Sequence, residues 1–355
     1  MPIGFGAGRF AAVGALLALG AAVSGCGLLN AAADGNGRAG GDHPFTIAFG
    51  GDVHFEGELA TRLASAPDTA FGPIAARFRA ADLAMVNLET AITTGGTPAP
   101  KDYTFRAPPT VFRALKSAGL DVVTMANNHG MDYGDTGLRD SLAASKQAEF
   151  PVVGIGRNAA EAYRPHTITV KGSRVAIIGA TQVLDDNLIE AWTATDTKAG
   201  LASAKNAPRL VQAVRQARED ADVVIVNLHW GQERNSCATP VQRQLAAQLA
   251  DAGADAIVGS HAHVLQAGGY LKGKYVHYGL GNFVFYNSNG PTAQSGVLTL
   301  TLDPRAKTTR VTKADWAPAV ISGGIPQPLT GTSAQQAQAQ WEGLRSCADV
   351  KARPA

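Results

Sequence analysis

The sequence predicts an α/β fold, with a sheet covered by helices on both faces. Short, almost continuous apolar runs alternate with segments of helical spacing from residue 44 onward. Such runs need apolar cover on both faces, and intervening helices supply it. The 40 glycines match a chain that turns tightly and often between strands and helices. Polar clusters of metal-ligand types stand directly behind five of the apolar runs, and in open α/β sheets ligands bind outside the carboxyl ends of the strands.

The elements follow in order. Residues 45–49 (FTIAF) read as the first buried strand, 70–81 as a helix by spacing, and 83–87 (LAMVN) as the next strand. The stretch PTVFRALKSA, 109–118, has helical spacing and leads into a strand at 122–125. Residues 136–148 are helical and 152–155 form a short strand; 175–180 is a further strand with a Gly-Ala-Thr end. An amphipathic helix at 208–219 precedes the strand 223–228, and a helix at 240–252 precedes the strand 256–258. Beyond Tyr270 the texture changes to strand-like segments at 274–278, 283–286 and 297–302, which predicts a more antiparallel half. Residues 331–355 are polar and rich in Ala and Gln, either a terminal helix packed on the domain or a loose tail. No repeat of fixed period is visible.

The ends and the composition bound the function. A chain of 355 residues, 45% hydrophobic and 17% charged, is ample for one large domain or two small ones. A net charge of +2 argues against nucleic-acid binding by counterion release. Arg9 supplies a positive leader and residues 11–23 a short apolar stretch, which together suit a signal peptide better than a membrane span. The following Val23-Ser24-Gly25-Cys26 resembles a bacterial lipobox, with cleavage before Cys26 and a lipid on it; the alternative is an ordinary secretory signal. Either reading places the mature protein outside the cytoplasm, and the lipid reading tethers it to the membrane. Residues 27–43, rich in Gly, Ala and Asn, read as a flexible linker, leaving a domain at 44–330 and a C-terminal segment at 331–355. An oxidising compartment allows Cys237 and Cys347 to pair, which would staple the tail to the loop after His229; the sequence does not show that they are within reach.

The polar clusters are Asp52-Val-His54, Asn87-Leu-Glu89, Asn127-Asn128-His129, His229-Trp-Gly and His261-Ala-His263. Taken singly, Asp52 reads as a helix cap or turn former, Asn127-Asn128 as turn chemistry and His229 as a core histidine. Taken together, in a chain with only eight histidines, they point to one shared metal site. Asp52 and His54, like His261 and His263, are spaced i, i+2, which puts both side chains on one face of an extended segment. A mixed oxygen and nitrogen shell suits Mn, Fe or Zn. Glu89 is placed to bridge two ions about 3.5 to 4 Å apart, the spacing of two-metal hydrolytic sites.

The order Asp-x-His, carboxylate, Asn-His, His and Gly-x-His-x-His is similar to the metallophosphoesterase (calcineurin-like) superfamily. More closely, GGDVHFEG, VNLETAI, YTFRAPP, ANNHGMDYGDTGL, NLHWGQE, GSHAHVLQ and YGLGNFVF resemble the bacterial CapA family, associated with poly-γ-glutamate capsule synthesis; the resemblance spans about 45–285. It implies a sandwich of β-sheets flanked by α-helices and two divalent transition-metal ions. Asp52, His54 and His263 would hold one ion and Asn128, His229 and His261 the other, with Glu89 where the superfamily usually has a bridging Asp. His129 matches the catalytic histidine. The superfamily usually has an acid directly after it; here Gly130 follows, and Asp132 is expected to orient His129 instead. Arg106 is a candidate bidentate donor to an anion, or a surface arginine in a Pro-rich loop. Asn282 is a candidate polar contact near the site, or a turn cap. The implied functions are a metal-dependent hydrolase acting on a phosphoester or amide, or a non-catalytic component of a capsule-assembly complex that binds an anionic polymer beside membrane proteins.

Overall fold

The computed structural model describes residues 1, 41, 43–286 and 288–354. The expected signal peptide, Cys26 and most of the linker lie outside these residues. Two sheets carry the fold. In the first the strand order is Ile325–Pro328, Val311–Ser322, Gln294–Leu302, Phe45–Val53, Leu83–Leu88, Val122–Thr124 and Val152–Val153, with Asn282–Val284 beside the end of Phe45–Val53. The strands from Phe45–Val53 to Val152–Val153 are parallel, and the C-terminal strands add on antiparallel. In the second sheet the order is Gly268–Leu271, Lys274–His277, Ala256–Ser260, Val223–His229, Ser173–Thr181 and His166–Val170, parallel except at its two edges.

The two sheets pack face to face. Because successive strand side chains alternate, Phe45, Ile47, Phe49, Leu83 and Met85 of the first sheet share a core with Val175, Ile177, Val223, Ile225 and Val258 of the second. On the outer face of the first sheet, Ala48, Ala84 and Val86 pack with Leu63, Phe78, Phe112 and Leu115 from helices. On the outer face of the second, Ile178, Val224 and Val226 meet Leu210, Val214, Leu245 and Leu249. Apart from the C-terminal segment, whose Trp341 joins the inter-sheet core, helices cover only the outer faces, which corrects the single doubly covered sheet expected from hydrophobic runs. A strand buried against a second sheet is as continuously apolar as one buried under helices, so the runs alone do not separate the two. The architecture is the α/β sandwich that the resemblance implies.

Other differences have local causes. The helix expected at 70–81 is a 3₁₀ turn, Gly72–Ile74, running into the short helix Ala75–Arg79, with Gly72 at φ 66°. The strand expected at 152–155 is cut at Gly154, whose φ is 86° and where a Cβ would lie 2.4 Å from that of Ala126. Ile155–Gly156 leaves the first sheet and pairs with Gly200–Leu201. The edge strand His166–Val170 and the outer strands Val311–Ser322 and Ile325–Pro328 are not evident in the sequence. Their exposed faces carry polar residues, and Pro318, Pro326 and Pro328 lie within them. Residues Gly331–Gly343 form a helix whose Trp341 is buried, stacked on His277 and Trp316. Cys237 and Cys347 are bonded, with Cα atoms 5.4 Å apart. Among the described residues no helix is long and apolar enough to cross a membrane.

Candidate metal centre

The carboxyl ends of five strands converge. Asp52 lies in register with Asn87 on one side and Asn282 on the other, and His229 lies beside Ser260 in the second sheet. The backbone N–H of His261 donates to Asp52 Oδ2 at 3.0 Å, tying the two sheets together at this point. Donor atoms of Asp52, Glu89 and His263 lie within 4.8 Å of one another, as do those of Glu89, His229 and His261. Glu89 thus belongs to both triads. Asn128 Oδ1 is 2.7 Å from His229 Nε2, on the side of the second triad. A third group joins Glu233 to His261 and His263. His54 joins none of the three: its ring stacks on Phe105 at 4.5 Å, and its Nε2 accepts from the Tyr286 N–H at 3.3 Å.

The surroundings hold these side chains in fixed orientations. Asn87 Nδ2 donates to Asp52 Oδ1 at 2.8 Å, and Asn127 Nδ2 donates to Asn87 Oδ1 and to the Leu88 carbonyl. Asn127 is thus an internal brace. His263 Nδ1 is 2.8 Å from Asn282 Oδ1, so Asn282 backs a ligand candidate, the arrangement that leaves Nε2 free to bind an ion. His261 and His263 have φ of 91° and 54°, values that cost a side-chain-bearing residue roughly 1–3 kcal/mol each and that concentrate at functional sites.

His129 is held by Asp132, whose Oδ2 accepts from Nδ1 at 2.5 Å. Gly130 is explained by space, because a Cβ there would lie 2.3 Å from the Met125 carbonyl oxygen. No acid fits directly after His129, and Asp132, one turn on, makes the contact. Lys101 Nζ lies 3.2 Å from Asp132 and 3.1 Å from Asp185, and donates to the Asn128 carbonyl at 2.5 Å. Phe105 stacks between His54 and His129.

Burial dominates the electrostatics. It holds His54, His129 and His229 well below the usual imidazole range and His261 at about 3, so all four are neutral and able to ligate at physiological pH. Burial, reinforced by the nearby Asp52 charge, pushes Glu89 well above the usual carboxylate range. Asp52 is raised by burial and partly relieved by His263 and Asn87, and burial lifts Asp132 to about 7 against the pull of Lys101. Both oxygens of Glu89, Nδ1 of His54 and Nδ1 of His261 are buried without a hydrogen-bond partner. Such atoms are expensive to bury unless a ligand meets them. The donor set of buried carboxylates and imidazoles, with unpartnered oxygens at Glu89, fits a divalent cation.

The model for the family described as bacterial capsule synthesis protein PGA_cap matches residues 46–287. The chain belongs to this PGA_cap family. It is 37% identical over 222 residues to "Capsule biosynthesis protein CapA" of Bacillus anthracis, covering 61% of this chain and 52% of that protein. It is 33% identical over 229 residues to "PGA biosynthesis protein CapA" of Bacillus subtilis (strain 168), covering 61% and 57%. The chain spans about half the length of the curated relatives it matches. Among solved structures, the calcineurin-like phosphoesterase YfkN from Bacillus subtilis is similar at a TM-score of 0.47 and 18% identity, over 85% of this chain and 99% of that one.

All of the sequence-predicted ligand residues of this PGA_cap domain come to the same strand ends. Arg106 does not turn inward: it is exposed, and its guanidinium lies 4.9 Å over the Tyr133 ring. A cleft of about 250 Å³ opens over the site, lined by Tyr103, Phe105, His129, His263, Phe285 and Tyr286, with Glu233 and Arg234 at its wall. Sequence reading missed Lys101, Phe105, Glu233 and Arg234. Glu233 is the last residue of the NLHWGQE motif, Arg234 follows it and Phe105 lies within YTFRAPP, so these three were within reach; Lys101 sits in a Pro-rich loop with no local signal.

Proposed function

We propose that this PGA_cap domain is a metal-dependent hydrolase-type protein acting outside the cytoplasm in the synthesis or export of an anionic capsule polymer such as poly-γ-glutamate. The observation that carries the reading is Glu89, a buried carboxylate with no hydrogen-bond donor that belongs to two triads of ligand atoms. Asp52, His263 and Glu89 would hold one divalent ion and Glu89, Asn128, His229 and His261 a second; His54 lies next to them in its aromatic box. The ions, of Mn, Fe or Zn type, would supply Lewis-acid activation of water and of the substrate oxygen. The chain's own residues do the rest. Asp132 fixes the Nδ1–H tautomer of His129, which leaves Nε2, 4.0 Å from Glu89 Oε1, to exchange a proton with the leaving oxygen. The rings of Phe105, Phe285 and Tyr286 keep water from the flank of the cleft.

The relatives named for capsule and PGA biosynthesis support the polymer as substrate class. The Cys237–Cys347 bond supports an oxidising compartment, consistent with a signal peptide and a lipid on Cys26. Elemental analysis of the full chain tests the metal reading. Two equivalents of a transition metal in the wild type, lost in the His261→Ala/His263→Ala variant together with hydrolysis of a chromogenic phosphodiester or of poly-γ-glutamate, support it; a metal-replete wild type without metal rejects it. Incorporation of labelled palmitate into the wild type but not into Cys26→Ala tests the anchor.

A further inference from the structure

We propose that Arg234 is an anion anchor that selects substrates carrying an oxyanion, a carboxylate or a phosphate, beside the bond presented to the metal centre. The inference rests on the metal-site reading above and adds a residue outside its ligand set. Arg234 lines the same cleft as His129 and His263. Its backbone N–H donates at 2.7 Å to the carbonyl of Ala262, the residue between the ligand candidates His261 and His263. The backbone that carries this arginine is therefore clamped to the backbone that carries the metal-facing histidines.

The two neighbours at this turn diverge. Glu233 places its carboxylate with His261 and His263, whereas the Arg234 guanidinium has no acidic partner among the described residues. Lys101 and Arg106 do not line this cleft and are engaged elsewhere, Lys101 by Asp132 and Asp185 and Arg106 by the Tyr133 ring. Arg234 also sits at φ 58°, a left-handed conformation that is uncommon for a long side chain and concentrates at binding and catalytic sites. The loop is restrained on its far side, where Gln266 Nε2 donates to the Asn235 carbonyl at 2.8 Å and Cys237 is bonded to Cys347. Arg234 is exposed, and its guanidinium, carried on a restrained backbone at the cleft that holds His129 and His263, is open to one oxyanion as a bidentate fork. Tyr103 and Tyr286 flank the same opening and offer apolar walls to the chain that bears it.

The test is isothermal titration of the full-length chain and its Arg234→Gln and Arg234→Lys variants, metal-free and metal-loaded. The probes are inorganic phosphate and a synthetic γ-linked glutamate oligomer. Loss of one charge-assisted contact predicts affinity weaker by about tenfold to a hundredfold in Arg234→Gln, with Arg234→Lys in between and metal content unchanged. The tighter of the two probes identifies the oxyanion as phosphate or carboxylate. Wild-type affinity in Arg234→Gln, or no saturable binding of either probe to the wild type, overturns the proposal. The metal-free series separates the two readings: absence of bound metal defeats the hydrolase proposal alone, whereas the Arg234 difference is read without metal.

Discussion

At Glu89 a full carboxylate is buried with neither oxygen hydrogen-bonded, beside a second buried carboxylate at Asp52. Removing its charge while keeping its shape gives a clear expectation. Glu89→Gln folds but binds fewer metal equivalents than the wild type, as read by elemental analysis, because an uncharged amide is a poor bridge between two cations. Asp132 acts one step further out. Asp132→Asn keeps full metal content yet lowers kcat on a phosphodiester by about 10²- to 10⁴-fold, since the amide no longer fixes the His129 tautomer. At this scale much was readable in advance, because Asp, His and Asn directly behind apolar runs have few structural uses in common. The brace at Asn127 and the clamp at Lys101 were not readable, since each acts through partners on distant segments. The absence of an acid after His129 looks like a loss in the sequence and is a packing necessity in the fold, set by the Met125 carbonyl.

Among the elements, the C-terminal helix is fastened twice, by the disulfide and by Trp341. The bond closes a separation of 110 residues, and the Cys237→Ser/Cys347→Ser variant is expected to lose about 2–4 kcal/mol of stability in urea unfolding. His277 lies buried against both Trp316 and Trp341, which also touch each other, and accepts from Trp341 Nε1 at 3.1 Å. Burial lowers its pKa to about 3. The unfolded chain, with an imidazole near the usual ~6.5, takes up a proton on acidification that the folded state refuses. Stability is therefore lost as pH falls from ~6.5 toward 3, by ~1.4 kcal/mol per pH unit for this group. His277→Gln keeps an acceptor for Trp341, and its loss of stability between pH 7 and pH 5 should be smaller than that of the wild type by about 2 kcal/mol. The internal strands were legible because they are apolar on both faces. Edge strands such as His166–Val170, with polar outer faces, and the turn-broken helix near Gly72 were not.

For the whole molecule, the candidate metal-ligand cluster lies between the two sheets where their parallel strands end. An ion bound there would stabilise the native state and not the unfolded chain. At about 100 times its Kd, a bound divalent ion should add ~2.7 kcal/mol, seen as a rise of several degrees in Tm that EDTA reverses. The same addition should leave the Tm of the His261→Ala/His263→Ala variant unchanged.

The residue types and their spacing by themselves determined the alternation of strands and helices and the set of ligand candidates behind the strands. These are local properties, set by side-chain chemistry and periodicity within a few positions. Only the tertiary structure decided that two sheets face each other and that Glu89 is shared by two triads. It alone placed His54 in an aromatic box, brought Glu233 and Arg234 to one cleft and set Lys101 against Asp132 and Asp185. Those relations join segments up to 232 residues apart, as in the Tyr286 to His54 hydrogen bond, and no local pattern carries information across such a distance until packing brings the strand ends together.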